Sequence, residues 1–224
     1  MDKGAPEVTE SDASQAIIAD PSWAEETPAG VEGAAIARVI LSAERIAARV
    51  RALGGAITDA YAPNLATQPG ARLLVAVTLR GAALFAADLV RAIDLPIELD
   101  FLSVASYGEN TTSSGSVRFR KDLETDITDC HVLLVEDILD TGLTLTRLVE
   151  TLAARNPASL RVCALLDKGR DFPLRASRAI AYTGFLIPDV FVVGYGLDYA
   201  ERYRNLPYIG VLKPGIYTHA SEEA

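Results

Sequence analysis

The chain has 224 residues, half of them hydrophobic, with a formal net charge of −9 and two cysteines. That is enough apolar material for one large domain and a small appended lobe, and the acidic balance argues against nonspecific binding to nucleic acid or an anionic membrane, which needs a basic field. No run approaches the ~18 apolar residues of a spanning helix, the start lacks the basic and apolar regions of a signal peptide, and Cys130 and Cys163 make no disulfide framework. A cytoplasmic location is therefore expected.

Residues 1–33 are rich in Glu, Asp, Ala, Ser, Pro and Gly, with Ile17, Ile18 and Trp23 as apolar exceptions. They read as a mostly disordered acidic extension. Ile36 to Leu41 reads as a strand running into Ser42, a good helix N-cap. Ile46, Ala47, Val50 and Leu53 then share one helical face, which carries the helix to about Ala60 despite Gly54 and Gly55. Pro63 to Gly70 is expected to be a loop. Leu73 to Val77 is a buried strand ending in Thr78-Leu79-Arg80-Gly81, and a helix follows with Leu84, Phe85, Leu89, Val90 and Ile93 on its buried side. Ile97 to Val104 is extended. The polar, glycine-flanked stretch 105–115 reads as a long binding loop, with Val117 to Asp122 as its returning arm.

Next comes the stretch that carries the most chemistry, Val132 to Thr144. Four apolar residues read as a buried parallel strand that stops at the carboxylates Glu136 and Asp137. Asp140-Thr141-Gly142-Leu143-Thr144 leads into Leu145, Leu148, Val149 and Leu152 at helical spacing. Backbone N–H groups around Gly142, at the positive end of a helix dipole, form a site for a phosphate, with the hydroxyls of Thr141 and Thr144 beside them. The two acids suit a ribose diol and a divalent metal. Leu160 to Leu166 is another buried strand, ending in Asp167-Lys168-Gly169; Arg170 to Ser177 is a polar connection. Ala179 to Thr183 and Val190 to Val193 are further strand candidates, as is Tyr208 to Leu212. The polar cluster after each strand belongs at the carboxyl edge of an open parallel sheet, where ligands bind. The expected fold class is thus α/β, a twisted, mainly parallel sheet flanked by helices.

The run Val135-Glu136-Asp137-Ile138-Leu139-Asp140-Thr141-Gly142-Leu143-Thr144 resembles the phosphoribosyl-pyrophosphate motif of type I phosphoribosyltransferases, and looks most like the hypoxanthine-guanine branch. Ser106-Tyr107-Gly108, Leu165 to Lys168, Ile187-Pro188-Asp189, and Phe191 to Tyr199 with Arg202 to Gly210 extend the similarity over most of residues 35–217. The resemblance implies a domain over residues 34–224 with a small hood subdomain built from chain-terminal segments. It also implies transfer of a 5-phosphoribosyl group from phosphoribosyl pyrophosphate to hypoxanthine and guanine, with Mg²⁺ as cofactor, in a homodimer or homotetramer. A xanthine-preferring enzyme and a regulatory phosphoribosyl-pyrophosphate-binding protein are the alternatives.

Residue roles follow from the same resemblance. Asp140 matches a general base beside the purine's imidazole nitrogen, and Glu136, Asp137 and Asp198 match metal-associated acids, the first two also facing the ribose. Arg80, Gly81, Asp140, Thr141, Gly142, Leu143, Thr144 and Arg204 match phosphate and pyrophosphate contacts. Lys168 matches the donor to the purine 6-oxo group, Phe191 the ring that stacks on the base, and Val192 the backbone acceptor for a guanine amino group. Ser106 and Tyr107 belong to the closing loop. Where this chain has Arg80 the family commonly has lysine, and the peptide before that position can be cis. Taken alone, Asp140 would be a helix cap, Lys168 an exposed turn residue and Phe191 core. His131 and His219 match no role.

Overall fold

Period-two alternation decides how the apolar strands are used. Along Leu73–Thr78 (β3) the side chains of Leu73, Val75 and Val77 join one buried cluster, while Leu74 and Ala76 join another on the opposite face. The strands His131–Leu139 (β6) and Ser159–Asp167 (β7) divide in the same way, with Leu133, Val135, Cys163 and Leu165 on one side and Val132, Leu134, Val162 and Ala164 on the other. A sheet apolar on both faces must be covered on both. The computed structural model, which describes residues 17–18, 35–104 and 118–217, shows that three-layer arrangement.

With Ile17–Ile18 (β1), Glu98–Val104 (β4), Phe119–Lys121 (β5) and Ile180–Leu186 (β8), the main sheet has seven strands in the order β1-β8-β7-β6-β3-β4-β5. All neighbours are parallel except β4 and β5. The helices Ala43–Thr67 (α1) and Ala83–Ala92 (α2) supply Ile46, Val50, Leu53, Phe85 and Leu89 to one face. Leu143–Ala153 (α3) and the one-turn helix Pro173–Ala176 (α4) cover the other with Leu145, Leu148, Leu152 and Leu174. A smaller antiparallel sheet, ordered β2-β10-β9, joins Ile36–Leu41 (β2), Val192–Val193 (β9) and Ile209–Leu212 (β10) around its own cluster of Ile36, Val193, Leu206 and Leu212. It draws on both ends of the domain, as a hood of chain-terminal segments requires. Pro214–Tyr217 (α5) follows it.

Several local expectations are corrected. α1 does not stop near Ala60 but runs through Pro63 to Thr67. The exposed Pro63 forfeits one helical N–H, and the last turn is closed by Thr67 Oγ1 donating to Pro63 O at 2.8 Å and Gln68 N to Asn64 O at 3.0 Å. Gly54 persists inside α1 because a Cβ there would lie 2.5 Å from the Ala92 carbonyl oxygen, so it sets how closely α1 approaches α2. Leu84 is 42% exposed rather than buried; Phe85, Ala86 and Leu89 form the inner face of α2. The stretch Arg170 to Ser177 is not simply a polar connection, since α4 lies within it and Phe172 and Leu174 are buried. β8 runs on to Leu186, beyond the expected Thr183. The expected binding loop 105–115, with Ser106 and Tyr107, lies outside the described residues, as does Trp23. Its returning arm is seen as β5, whose Phe119 pairs with Val104.

Candidate active site

The strand before the glycine turn does not end at the acidic pair. β6 continues through Glu136 and Asp137 to Leu139, because Glu136, Ile138 and Leu139 keep register with Ala164, Leu166 and Asp167 of β7. Successive residues of a strand point to opposite faces, so the two acids part company. Glu136 turns toward the α3 side, where Thr78 Oγ1 donates to its Oε1 at 2.9 Å. Asp137 turns toward the hood. Its carboxylate lies against the Cα of Gly81, where an added Cβ would stand 1.5 Å from Asp137 Oδ2. A Cβ on Gly196, at φ +104°, would in turn meet the Gly81 carbonyl oxygen at 2.1 Å. Three segments far apart in sequence thus pack backbone to side chain around one carboxylate. The Leu79–Arg80 peptide beside it is cis.

Two cavities open at this carboxyl edge, one on each side of β6. The hood-side cavity, about 190 Å³, is lined by Asp137, Ile138, Asp140, Lys168, Phe191, Val192, Leu197 and Asp198. The other, about 300 Å³, is lined by Thr78, Leu79, Val104, Glu136, Ile138, Leu139, Asp140, Thr141, Gly142, Thr144 and Leu145. Ile138 and Asp140 belong to both walls, so the two spaces adjoin across them. Phe191, 39% exposed, is a cavity wall rather than core, held edge-on by Tyr199 at a ring separation of 5.7 Å.

The turn into α3 uses Gly142 at φ +69°, a left-handed conformation that glycine adopts without penalty. Thr146 donates through both its N–H (2.8 Å) and its Oγ1 (2.7 Å) to the Gly142 carbonyl, which fixes the first turn. The N–H groups of α3 ahead of Thr146 have no acceptors within the helix and carry the positive end of its dipole. Leu143 is 69% exposed, so its side chain stands clear of the turn. Beneath Gly142 lies Phe172, whose ring a Cβ would meet at 2.2 Å. The Arg175 guanidinium covers that ring at 4.7 Å and also pairs with the buried Asp167 at the end of β7.

Charge is organised in two further groups. On the hood side, Arg204 pairs with Asp198 at 2.7 Å and with Glu201 at 3.3 Å, donates to Gly196 O at 2.7 Å, and shares Glu201 with Arg80. Beside the hood-side cavity, Lys168 meets Asp140 at 3.2 Å and Asp189 at 3.3 Å, while Arg170 meets the same two carboxylates at 2.8 and 2.5 Å. Glu201 and Arg170 are absent from the sequence-based site, since nothing in their spacing marks them. Asp189 stood in a matched motif without a role.

Burial pushes the Glu136 carboxyl up to about 8, with the Asp137 charge adding to the effect and the Thr78 hydroxyl opposing it. Burial also raises Asp137, against the backbone hydrogen bond from Ile138 and the nearby Arg204 charge. Two acids held above their ordinary range at a ligand edge favour a cation beside them. Among the described residues no group of three or more His, Cys, Asp or Glu side chains could hold a metal by itself. Asp137 and Asp198 line one cavity, and two carboxylates there suit a hard cation that completes its shell from substrate oxygens and water.

Residues 44–200 match the phosphoribosyl transferase domain family. The chain is 52% identical over 182 residues to the hypoxanthine-guanine phosphoribosyltransferase of Mycobacterium tuberculosis, covering 81% of this chain and 89% of that one. It is 47% identical over 184 residues to the Bacillus subtilis hypoxanthine-guanine phosphoribosyltransferase, covering 81% and 96%. The crystal structure of a Staphylococcus aureus hypoxanthine phosphoribosyltransferase superposes with a TM-score of 0.73 at 41% identity, over 84% of this chain and 97% of that one. The architecture is that of the type I phosphoribosyltransferases. With 157 of its residues inside the matched domain and half of its aligned positions identical to the mycobacterial enzyme, the chain belongs to the phosphoribosyl transferase domain family.

Proposed function

We propose that the protein transfers the 5-phosphoribosyl group of phosphoribosyl pyrophosphate to hypoxanthine and guanine, releasing pyrophosphate, as a purine-salvage enzyme of the cytoplasm. The observation that carries this is the pairing of Asp140 and Lys168, 3.2 Å apart in the wall of one cavity that also has an aromatic side, Phe191, and adjoins a helix N-terminal turn. An acceptor and a donor side by side match the adjacent imidazole N–H and 6-oxo oxygen of a 6-oxopurine. A 6-aminopurine would present donors to the Lys168 ammonium, which supports discrimination against adenine.

In the reaction a purine ring nitrogen forms the bond to ribose C1′ as the C1′–O bond to pyrophosphate breaks. The electron pair leaves with pyrophosphate, and the ring proton goes to Asp140 as general base. Phe191 stacks on the base, and the Val192 carbonyl accepts from a guanine amino group. The α3 turn, with Thr141, Gly142, Leu143 and Thr144, receives the 5-phosphate through its N–H groups and hydroxyls. Arg80, Gly81 and Arg204 receive pyrophosphate. The two arginines already share one anionic partner, Glu201, which supports a common anion between them. Glu136 and Asp137 hold the ribose hydroxyls, and with Asp198 they are the acids that would hold Mg²⁺. When bound, Mg²⁺ neutralises charge on the pyrophosphate. Ser106 and Tyr107 close over the site, and the enzyme works as a homodimer or homotetramer.

Product formation from phosphoribosyl pyrophosphate with hypoxanthine, guanine, xanthine and adenine in parallel tests the assignment. Turnover of the first two and not adenine is expected; a preference for xanthine, or no turnover of any base, contradicts it.

A further inference from the structure

Beside the hood-side cavity, four charged side chains form a ring of alternating sign: Asp140, Lys168, Asp189 and Arg170. The contacts run Lys168 Nζ to Asp140 Oδ2 at 3.2 Å and to Asp189 Oδ1 at 3.3 Å, then Arg170 Nη2 to Asp189 Oδ2 at 2.5 Å and Arg170 Nη1 to Asp140 Oδ1 at 2.8 Å. Of the four, Asp140 and Lys168 line the cavity, and Asp189 and Arg170 reach it only through them. We propose that Asp189 is a positioning residue for recognition of the purine edge, holding Lys168 so that an N–H is left for the 6-oxo oxygen while Arg170 ties Asp189 to Asp140. The proposal rests on the function inferred above and adds to it a residue that determines how the base is read.

Donor counting carries the argument. An ammonium has three N–H bonds and no acceptor. Lys168, whose side chain is only 11% exposed, gives one N–H to Asp140 as a hydrogen bond and has Asp189, on a different segment, at ion-pair distance. Held between the two carboxylates, the ammonium keeps one position with N–H bonds left for a ligand, where a lysine on a flexible stem would otherwise sample many. On the other side, Arg170 lies within ion-pair distance of Asp140 Oδ1 but off the hydrogen-bond direction. That oxygen, hidden from water, has no hydrogen-bond donor. A buried acceptor without a donor is costly, and a purine N–H would satisfy it. The Arg170 hydrogen bond, and then Lys168, hold the Asp189 carboxyl below its ordinary range, so Asp189 carries its charge near neutrality.

Charge balance gives the direction of the effect. The four charges sum to zero, so deleting Asp189 leaves two cations competing for one carboxylate. Both would settle on Asp140, and Lys168 would lose its aim. In the wild-type background, Asp189→Ala should raise the KM for hypoxanthine about tenfold, with the KM for phosphoribosyl pyrophosphate changed by less than about twofold. Asp189→Asn, which keeps an acceptor without the charge, should fall between Ala and wild type. In a Lys168→Met background, adding Asp189→Ala should change the hypoxanthine KM by less than about twofold, because the side chain it positions is gone. An unchanged hypoxanthine KM in Asp189→Ala, or an equal penalty in both backgrounds, would overturn the proposal and mark Asp189 as loop support only. A wild-type protein unable to use hypoxanthine would instead overturn the function itself, so the two failures are told apart by the wild-type arm.

Discussion

Glu136 and Asp137 are neighbours in sequence but serve different spaces, because the strand that carries them does not stop. Their shared feature is a carboxyl raised by burial, Glu136 to about 8 from an ordinary 4.5. An acid whose folded value lies above its unfolded value favours folding while protonated. That contribution is fully present below about pH 4.5 and is lost as pH rises through 8. Glu136→Gln retains an acceptor for Thr78 and cannot ionise. Thermal unfolding of the unliganded protein from pH 5 to 9 should therefore show wild type losing stability relative to the variant as pH rises. Parallel pH profiles for the two proteins would contradict the burial argument. The same substitution should weaken substrate use, since a neutral amide is a poorer partner for a ribose diol and for a cation.

The turn between β6 and α3 shows how an element is held from below. Gly142 needs both its left-handed backbone and its missing Cβ, because Phe172 fills the space a methyl would need, and Arg175 with Asp167 holds Phe172 in place. Gly142→Ala should destabilise the protein by about 1–3 kcal/mol and raise the KM for phosphoribosyl pyrophosphate; denaturant unfolding with a substrate titration checks both. A variant with wild-type stability and affinity would show that the turn adapts. The turn itself was legible, since an apolar run, a glycine and a helical period are local signals. So were β2 and β3, which need only apolar patterning. Phe172 under the glycine was not, because its buried position depends on α4, a single turn inside a stretch of polar composition. The acidic pair was misjudged as a strand end because carboxylates usually terminate apolar runs; here pairing with β7 carries the backbone onward. Arg170 and Glu201 escaped for a related reason. Arg170 meets Asp140 and Asp189, and Glu201 meets Arg80, only because loops fold back over 19 to 121 residues, and no spacing rule reports that.

Across the whole molecule, the site gathers at one edge of the main sheet, with the small sheet alongside it. The acidic extension, read as residues 1–33, adds only β1 to the described structure, pairing in parallel with Phe185 and Leu186 of β8 at the far edge from β5. Among the described residues, those lining the two cavities all lie at Thr78 or beyond. Deleting residues 1–33 should leave kcat/KM within about twofold of the full chain, as steady-state kinetics on purified protein would establish; a large loss would give the extension a part in the site. The central claim is that Asp140 takes the purine proton, with Lys168 beside it reading the 6-oxo group. Its most direct test is Asp140→Ala, with kcat measured across the working pH range and phosphoribosyl-pyrophosphate affinity measured by calorimetry on the same preparation. The prediction is a kcat lower by ~10²–10⁴-fold with the affinity for phosphoribosyl pyrophosphate changed by less than about threefold. An unchanged kcat, or a loss of affinity as large as the loss of rate, would contradict it.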